Sequence, residues 1–148
     1  MRHTTFRFTL DPTPEQIALL ARHAGASRFA YNQCLRFVTD ALASRKSDPS
    51  VTVLWSSFDL INAFNTWKRS GTAGRVFVVT QDGIVTERAV GLTWRREVSA
   101  QVFEEAAVDL GHALAAYAKG NGGTLQEHRS GFPRPETKGP LPRQLPHA

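Results

Sequence analysis

The sequence predicts a mainly α fold: a helical lobe with one strand at its N-terminus and one β-hairpin inserted between helices. Three observations predict it. Apolar residues recur at three- and four-residue spacing in four segments, capping signals stand before these segments, and a single Asp82-Gly83 pair separates two β-branched runs.

Phe6-Arg7-Phe8-Thr9-Leu10 alternates apolar and polar side chains, the pattern of a short half-buried strand. The next residues, Asp11-Pro12-Thr13-Pro14-Glu15-Gln16, form a helix start. Thr13 is placed to cap, Pro14 suits the first turn, and Gln16 completes the capping-box spacing. That helix is expected to reach about His23, with Ile17, Leu20 and Ala21 facing inward and Gly25 at its C-terminal end. A second helix follows from about Ser27 to Ser44. Tyr31, Leu35, Val38 and Leu42 make its apolar stripe, and Arg28, Asn32 and Arg36 make a polar row beside it. Two helices joined by a short Gly-containing turn fit a helix-turn-helix, and they fit a generic helical hairpin as well.

Asp48-Pro49 breaks the pattern, and Ser56 or Ser57 is placed to cap a third helix running to about Arg69. Phe58, Ile61, Phe64 and Trp67 are expected on its inner face, widened by Leu60, with Gly71 as the stop. The hairpin covers 75–88. The last helix, 97–119, carries Phe103, Ala106, Ala107, Leu110, Leu114 and Tyr117 on one stripe and closes at Gly120. Five of the eight prolines fall in the last sixteen residues, which excludes helix or central strand there.

Composition narrows the function classes. The chain has 148 residues, 41% of them hydrophobic, enough for one core. One cysteine, Cys34, excludes a disulfide framework and a cysteine zinc site. There is no membrane-length apolar run and no secretory h-region, so a cytoplasmic protein with no membrane partner is expected. The net charge of +5 is unevenly spread. Residues 1–46 hold seven Lys/Arg against three acids, 47–120 seven against eight, and 121–148 four against two. Such basic ends suit phosphate binding, and a solvated surface equally.

No self-contained active site emerges. Glu104, Glu105 and Asp109 share one helix without the opposing carboxylates that a two-metal nuclease needs. The five histidines lack ligand spacing, and Cys34 has no base partner and reads as a buried thiol. No Gly-rich phosphate loop is present. No cofactor and no metal are expected. Trp67 reads as core. Trp55 and Trp94 stand at element boundaries beside Ser56-Ser57 and Arg95-Arg96, where an indole either stacks on a base or staples a helix start.

Four segments occur in a telling order: the opening from Phe6 to Gln16, Gly25-Ala26-Ser27-Arg28-Phe29-Ala30-Tyr31-Asn32, Glu97-Val98-Ser99-Ala100-Gln101, and Gly131-Phe132-Pro133-Arg134. From about residue 3 to about 138 the chain resembles the front of the TnpB family. These are transposases of single-strand insertion elements and RNA-guided DNA nucleases, and their N-terminal region is described as a helix-turn-helix. The resemblance implies a division into a first wedge-domain strand at 1–12, a recognition lobe at 13–120, and a loop with the Gly-Phe-Pro-Arg wedge segment at 121–138. The helix-turn-helix would span 14–44, and the wedge β-barrel would be incomplete. DNA and a structured guide RNA are the implied partners, with protein contacts mainly to backbone. Arg7, Arg28, Asn32, Arg134 and Lys138 would touch phosphate or RNA, Asn32 being equally suited to a structural hydrogen bond. Trp55, Ser56 and Ser57, with Ser99 and Gln101, match the regions that read a motif beside the target.

The family's catalytic carboxylates and zinc ribbon follow this region and are absent from the 148 residues, so no enzyme activity is expected of this chain. Residues 139–148 depart from the family's text and are expected to be a disordered, frameshifted tail. Permitted codons for 140–148, read one nucleotide later, restore the family-like run Arg-Cys-Arg-Asp-Ser-Phe-Arg-Met. The leading expectation is a non-catalytic nucleic-acid-binding fragment involved in transposon DNA recombination. The alternatives are one part of a split nuclease and a non-functional remnant.

Overall fold

The computed structural model describes residues 3–122 and 131–138. The expectation for 139–148 therefore lies outside the described residues. The element order is α1 (Pro14–Ser47), α2 (Ser57–Trp67), β1 (Arg75–Val79), β2 (Val85–Ala89) and α3 (Ala100–Gly122). The mainly helical expectation with one hairpin holds, and among the described residues no barrel forms.

α1 starts as the residues dictate. The Thr13 Oγ1 accepts from Gln16 N at 3.3 Å, and the Gln16 Oε1 accepts from Thr13 N at 2.9 Å, a complete capping box with Pro14 at the first position. The expected turn at Gly25 does not occur. The helix runs 34 residues without interruption, roughly 50 Å at 1.5 Å per residue. Gly25 does not take the positive φ of a C-cap, and alanines flank it. One interior glycine costs only about 1 kcal/mol against Ala, too little to stop a helix that tertiary packing holds on one side.

That packing keeps Leu35 and Val38 of the expected stripe and shifts its centre toward smaller residues. Ala26, Ala30, Cys34 and Val38, with Leu35, are buried, while Tyr31 and Leu42 flank them half-buried. Small side chains at four-residue spacing let α3 approach closely, and α3 answers with the buried Ala106 and Ala107. The expected α3 stripe of Phe103, Ala106, Ala107, Leu110 and Leu114 is buried, with Tyr117 half-buried at its edge. α2 contributes Leu60 and Phe64 to the same core.

The apolar residues before Ala26 fare otherwise. Ile17 is 54% exposed, Leu20 and Ala21 are also exposed, and residues 6–10 are extended and exposed without a ladder partner. The expected N-terminal strand is therefore absent among the described residues, because no second strand supplies its hydrogen bonds. Phe58 is likewise exposed, since it lies on the face of α2 opposite Leu60 and Phe64.

The hairpin forms in the register Arg75↔Ala89 to Val79↔Val85, with an Arg75–Glu87 ion pair across it. Gly83 takes φ +77° while Asp82 does not. The connection is therefore a type I turn closed by Gly83 N to Thr80 O at 2.9 Å, with Gly83 as the left-handed bulge residue. α3 begins at Ala100 instead of Glu97: Val98 is buried, and Ser99 caps the helix by accepting from Gln101 N at 3.3 Å.

Candidate nucleic-acid interface

The polar row on α1 is real, and its three members do three different things. Arg36 pairs with Asp40 one turn on, at 3.7 Å and well exposed. The Asn32 amide grips the backbone of residue 136 from both sides: its Nδ2 donates to Glu136 O at 2.9 Å, and its Oδ1 accepts from Glu136 N at 2.7 Å. Arg28 forms no hydrogen bond or ion pair among the described residues. Its guanidinium lies back along the helix near Gly25.

Asn32 is thus a clasp that brings 131–138 back onto α1. Phe132 supports the same placement, its ring edge-on to Tyr117 at 5.3 Å. Burial, then the nearby Glu136 and Asp109 carboxylates, raise the Tyr31 phenol above its ordinary value. Two motifs 104 residues apart in the chain are therefore one structural unit. Replacing Asn32 by Ala should release 131–138 while α1 stays helical. Hydrogen exchange of the Glu136 amide should accelerate at least tenfold, because it loses its acceptor. Arg134 and Lys138 lie exposed on this segment, and Arg7 is exposed on the extended N-terminal run.

The other expected site residues are placed by caps and packing. Ser56 caps α2, its Oγ accepting from Asp59 N at 3.2 Å. The Ser57 Oγ donates to Val108 O at 3.4 Å where α2 crosses α3. Trp55 packs half-buried against the core. Ser99 caps α3, and the Gln101 Nε2 donates to Glu105 Oε1 at 3.1 Å. Ser57 meets α3 at Val108 and Gly111, whereas Ser99 stands before its first turn. At 1.5 Å per residue the two groups are roughly 13–18 Å apart along α3. The structure leaves them as two separate patches.

Trp94 is enclosed, edge-on to Phe29 at 5.2 Å and tilted against Phe103 at 5.8 Å. Cys34 is the buried thiol expected: its Sγ faces Leu60 O at 4.0 Å, and burial pushes its pKa up to about 12. Glu105 and Asp109 are exposed on α3. An open groove of about 620 Å³ between α1 and α2 is edged by Asp40 and Asp59, the wrong sign for phosphate.

The basic residues that do converge were missed as site candidates. Lys68, Arg69, Arg95 and Arg96 line one pocket where the end of α2 meets the start of α3. The two dibasic pairs, Lys68-Arg69 and Arg95-Arg96, were the available signal, but only the tertiary fold puts them together.

Comparison with known proteins adds one decisive observation. Residues 1–47 match the family model of a helix-turn-helix domain, that of the OrfB proteins of IS605 elements. Over these residues the chain is similar to the IS605 OrfB family. The match covers α1 entire with the extended run before it, and it agrees with the TnpB resemblance carried by the motifs. The matched segment nonetheless holds a single helix where the family's description names a helix-turn-helix. No curated protein and no solved structure matches the chain. No helix among the described residues is long and apolar enough to cross a membrane.

Proposed function

We propose that this chain is the nucleic-acid-binding N-terminal part of a TnpB-like transposase, non-catalytic by itself. It holds DNA, and a structured guide RNA, through backbone phosphates. The match of residues 1–47 to the IS605 OrfB helix-turn-helix family carries the reading, since that domain supports a DNA-binding, transposase-related protein. The hold of Asn32 on Glu136, just past Gly-Phe-Pro-Arg, supports treating 13–120 and 131–138 as one lobe with its wedge segment. Contact with the nucleic acid falls to Arg28 at the centre of α1, with Arg7, Arg134 and Lys138 on the flanking extended segments. Trp55, Ser56, Ser57, Ser99 and Gln101 act through the caps and packing that set these helices.

The test is the salt dependence of binding to duplex DNA and to structured RNA, read by fluorescence anisotropy. A lobe that neutralises phosphates gives a log K that falls linearly with log salt, at a slope of about −0.9 per phosphate for duplex DNA. Arg28→Glu should weaken binding about tenfold near 0.1 M salt with an unchanged melting curve, because the residue has no partner in the fold. A flat salt response in the wild-type chain would remove the binding reading, and Mg²⁺-dependent DNA cleavage by this chain alone would remove the non-catalytic one.

A further inference from the structure

Lys68-Arg69 follow directly on the end of α2, and the segment after the hairpin carries Arg95-Arg96 before α3 begins. The fold closes these two dibasic pairs on each other. Leu92 N donates to Lys68 O at 2.7 Å, and Gly91 lies so close to Lys68 and Arg69 that a Cβ on it would fall 2.7 Å from the Arg69 Cα. Arg95 is then latched from within its own loop, its Nη1 donating to Val90 O at 2.9 Å and to Leu92 O at 2.8 Å. Its Nε and Nη2 make no hydrogen bond among the described residues. The result is a pocket of about 500 Å³ lined by Lys68, Arg69, Arg95, Arg96, Val98 and Ala100.

Lys68 is the residue that needs explaining. It is only 8% exposed, yet among the described residues it forms no ion pair and its ammonium no hydrogen bond. The Nζ stands 5.5 Å over the Phe103 ring and lines the pocket. Burial and the adjacent Arg69 and Arg95 hold its pKa below the ordinary lysine value, with Glu104 pulling the other way. Lys68 has no carboxylate in contact among the described residues, and it lines the pocket together with three arginines, so an anion there completes the set. Ala100 opens α3 at the pocket wall, where a helix presents its positive end.

The geometry points to a binding site for one phosphate group in this pocket, held by Lys68 from below and by Arg69, Arg95 and Arg96 around it. Resting on the nucleic-acid reading above, the group bound is a backbone phosphodiester of DNA, and the pocket anchors the lobe on the duplex. Three features favour phosphate over a carboxylate ligand. Four cationic residues line the one space, the guanidinium of Arg95 is fixed in advance, and four cations exceed the charge of a single carboxylate.

The experiment uses the full chain and two probes, inorganic phosphate and a random-sequence 20-base-pair duplex. Titrating phosphate should shift the Nε resonances of Arg95 and Arg96 and the amide of Ala100 in a saturable way, and Lys68→Met should abolish the shift while the protein stays folded. With the duplex, R69Q/R96Q should lower affinity at least tenfold near 0.1 M salt and reduce the salt slope by about one. R45Q/K46Q, which removes the same charge from the exposed end of α1, should cost less than a third of that. Wild-type duplex affinity and slope in R69Q/R96Q, with the wild-type chain binding DNA, would overturn the pocket and leave the binding function standing. No DNA binding by the wild-type chain, with phosphate still shifting Arg95 and Arg96, would overturn the nucleic-acid reading and leave the pocket. Phosphate shifts that are absent, or that survive Lys68→Met, overturn the site itself.

Discussion

Gly111→Ala should cost this fold about 3 kcal/mol, the upper range for forcing extra volume into a packed interior. Gly111 is buried in α3 at its crossing with α2, and a Cβ there would run into the Ser57 Oγ and come within 2.9 Å of both the Ser57 Cα and its backbone nitrogen. The hydroxyl can rotate away. The backbone at the first turn of α2 cannot, because Ser56 caps it and Leu60 and Phe64 are buried immediately beyond. The two helices must therefore part, and the contacts around Leu110 and Leu114 part with them. Urea unfolding followed by circular dichroism measures the loss. Gly25→Ala is the companion substitution, and its sign should be opposite. A Cβ at Gly25 meets nothing nearer than the Arg28 guanidinium at 3.9 Å. In a continuous helix it should therefore stabilise by up to about 1 kcal/mol. Were Gly25 the left-handed residue of a helix-turn-helix, the same substitution would destabilise. One pair of variants thus tests both the α2–α3 crossing and the single-helix form of the segment that matches the IS605 OrfB model.

What was legible in the residues is what local chemistry decides. Thr13 with Gln16, Ser56, and Asp82-Gly83 act within four residues of themselves, and each does what its spacing predicts. The α3 stripe was legible too, because its large side chains point one way. The α1 stripe was legible only at Leu35 and Val38, for the opposite reason. Its buried centre is Ala26, Ala30 and Cys34, and small residues carry little hydrophobic weight although they set how closely helices pack. Ile17, Leu20 and Phe58 have the right character for a core and face out, since exposure depends on which elements arrive to cover them. The hairpin makes the same point: Phe77, in the middle of β1, is 65% exposed on a ribbon that no layer covers among the described residues.

The candidate site divides along the same line. Arg28, Arg7, Arg134 and Lys138 were legible as basic residues in family-like motifs, and all four are accessible or unpaired in the fold. The clasp of Asn32 on Glu136 and the latch of Arg95 on Val90 and Leu92 were not, because their acceptors are backbone carbonyls that no side-chain pattern announces. A backbone group becomes a partner only once the chain has folded past it.

Gly91→Ala should show how closely that backbone geometry and the basic pocket are joined. Gly91 is buried with φ +73°, a left-handed conformation that costs an L-residue roughly 1–2 kcal/mol. Its carbonyl also presses on Gly74, where Gly91 N and Val90 N donate to Gly74 O at 3.1 and 3.0 Å. An alanine side chain would collide with the Lys68 carbonyl and the Arg69 backbone, so strain and collision add, for a loss of about 3 kcal/mol in urea unfolding. The segment that lifts away to relieve the collision is 90–92, and it carries the two carbonyls that hold Arg95. Phosphate should then no longer shift the Arg95 Nε, although all four cations remain in the chain. R69Q/R96Q should do the reverse, weakening anion binding with an unchanged urea midpoint, since both side chains project from a fold they do not support. A Gly91→Ala protein that keeps wild-type stability and a wild-type phosphate shift would mean that the loop does not need the left-handed residue to present Arg95. The pocket would then owe its form to the two dibasic pairs alone.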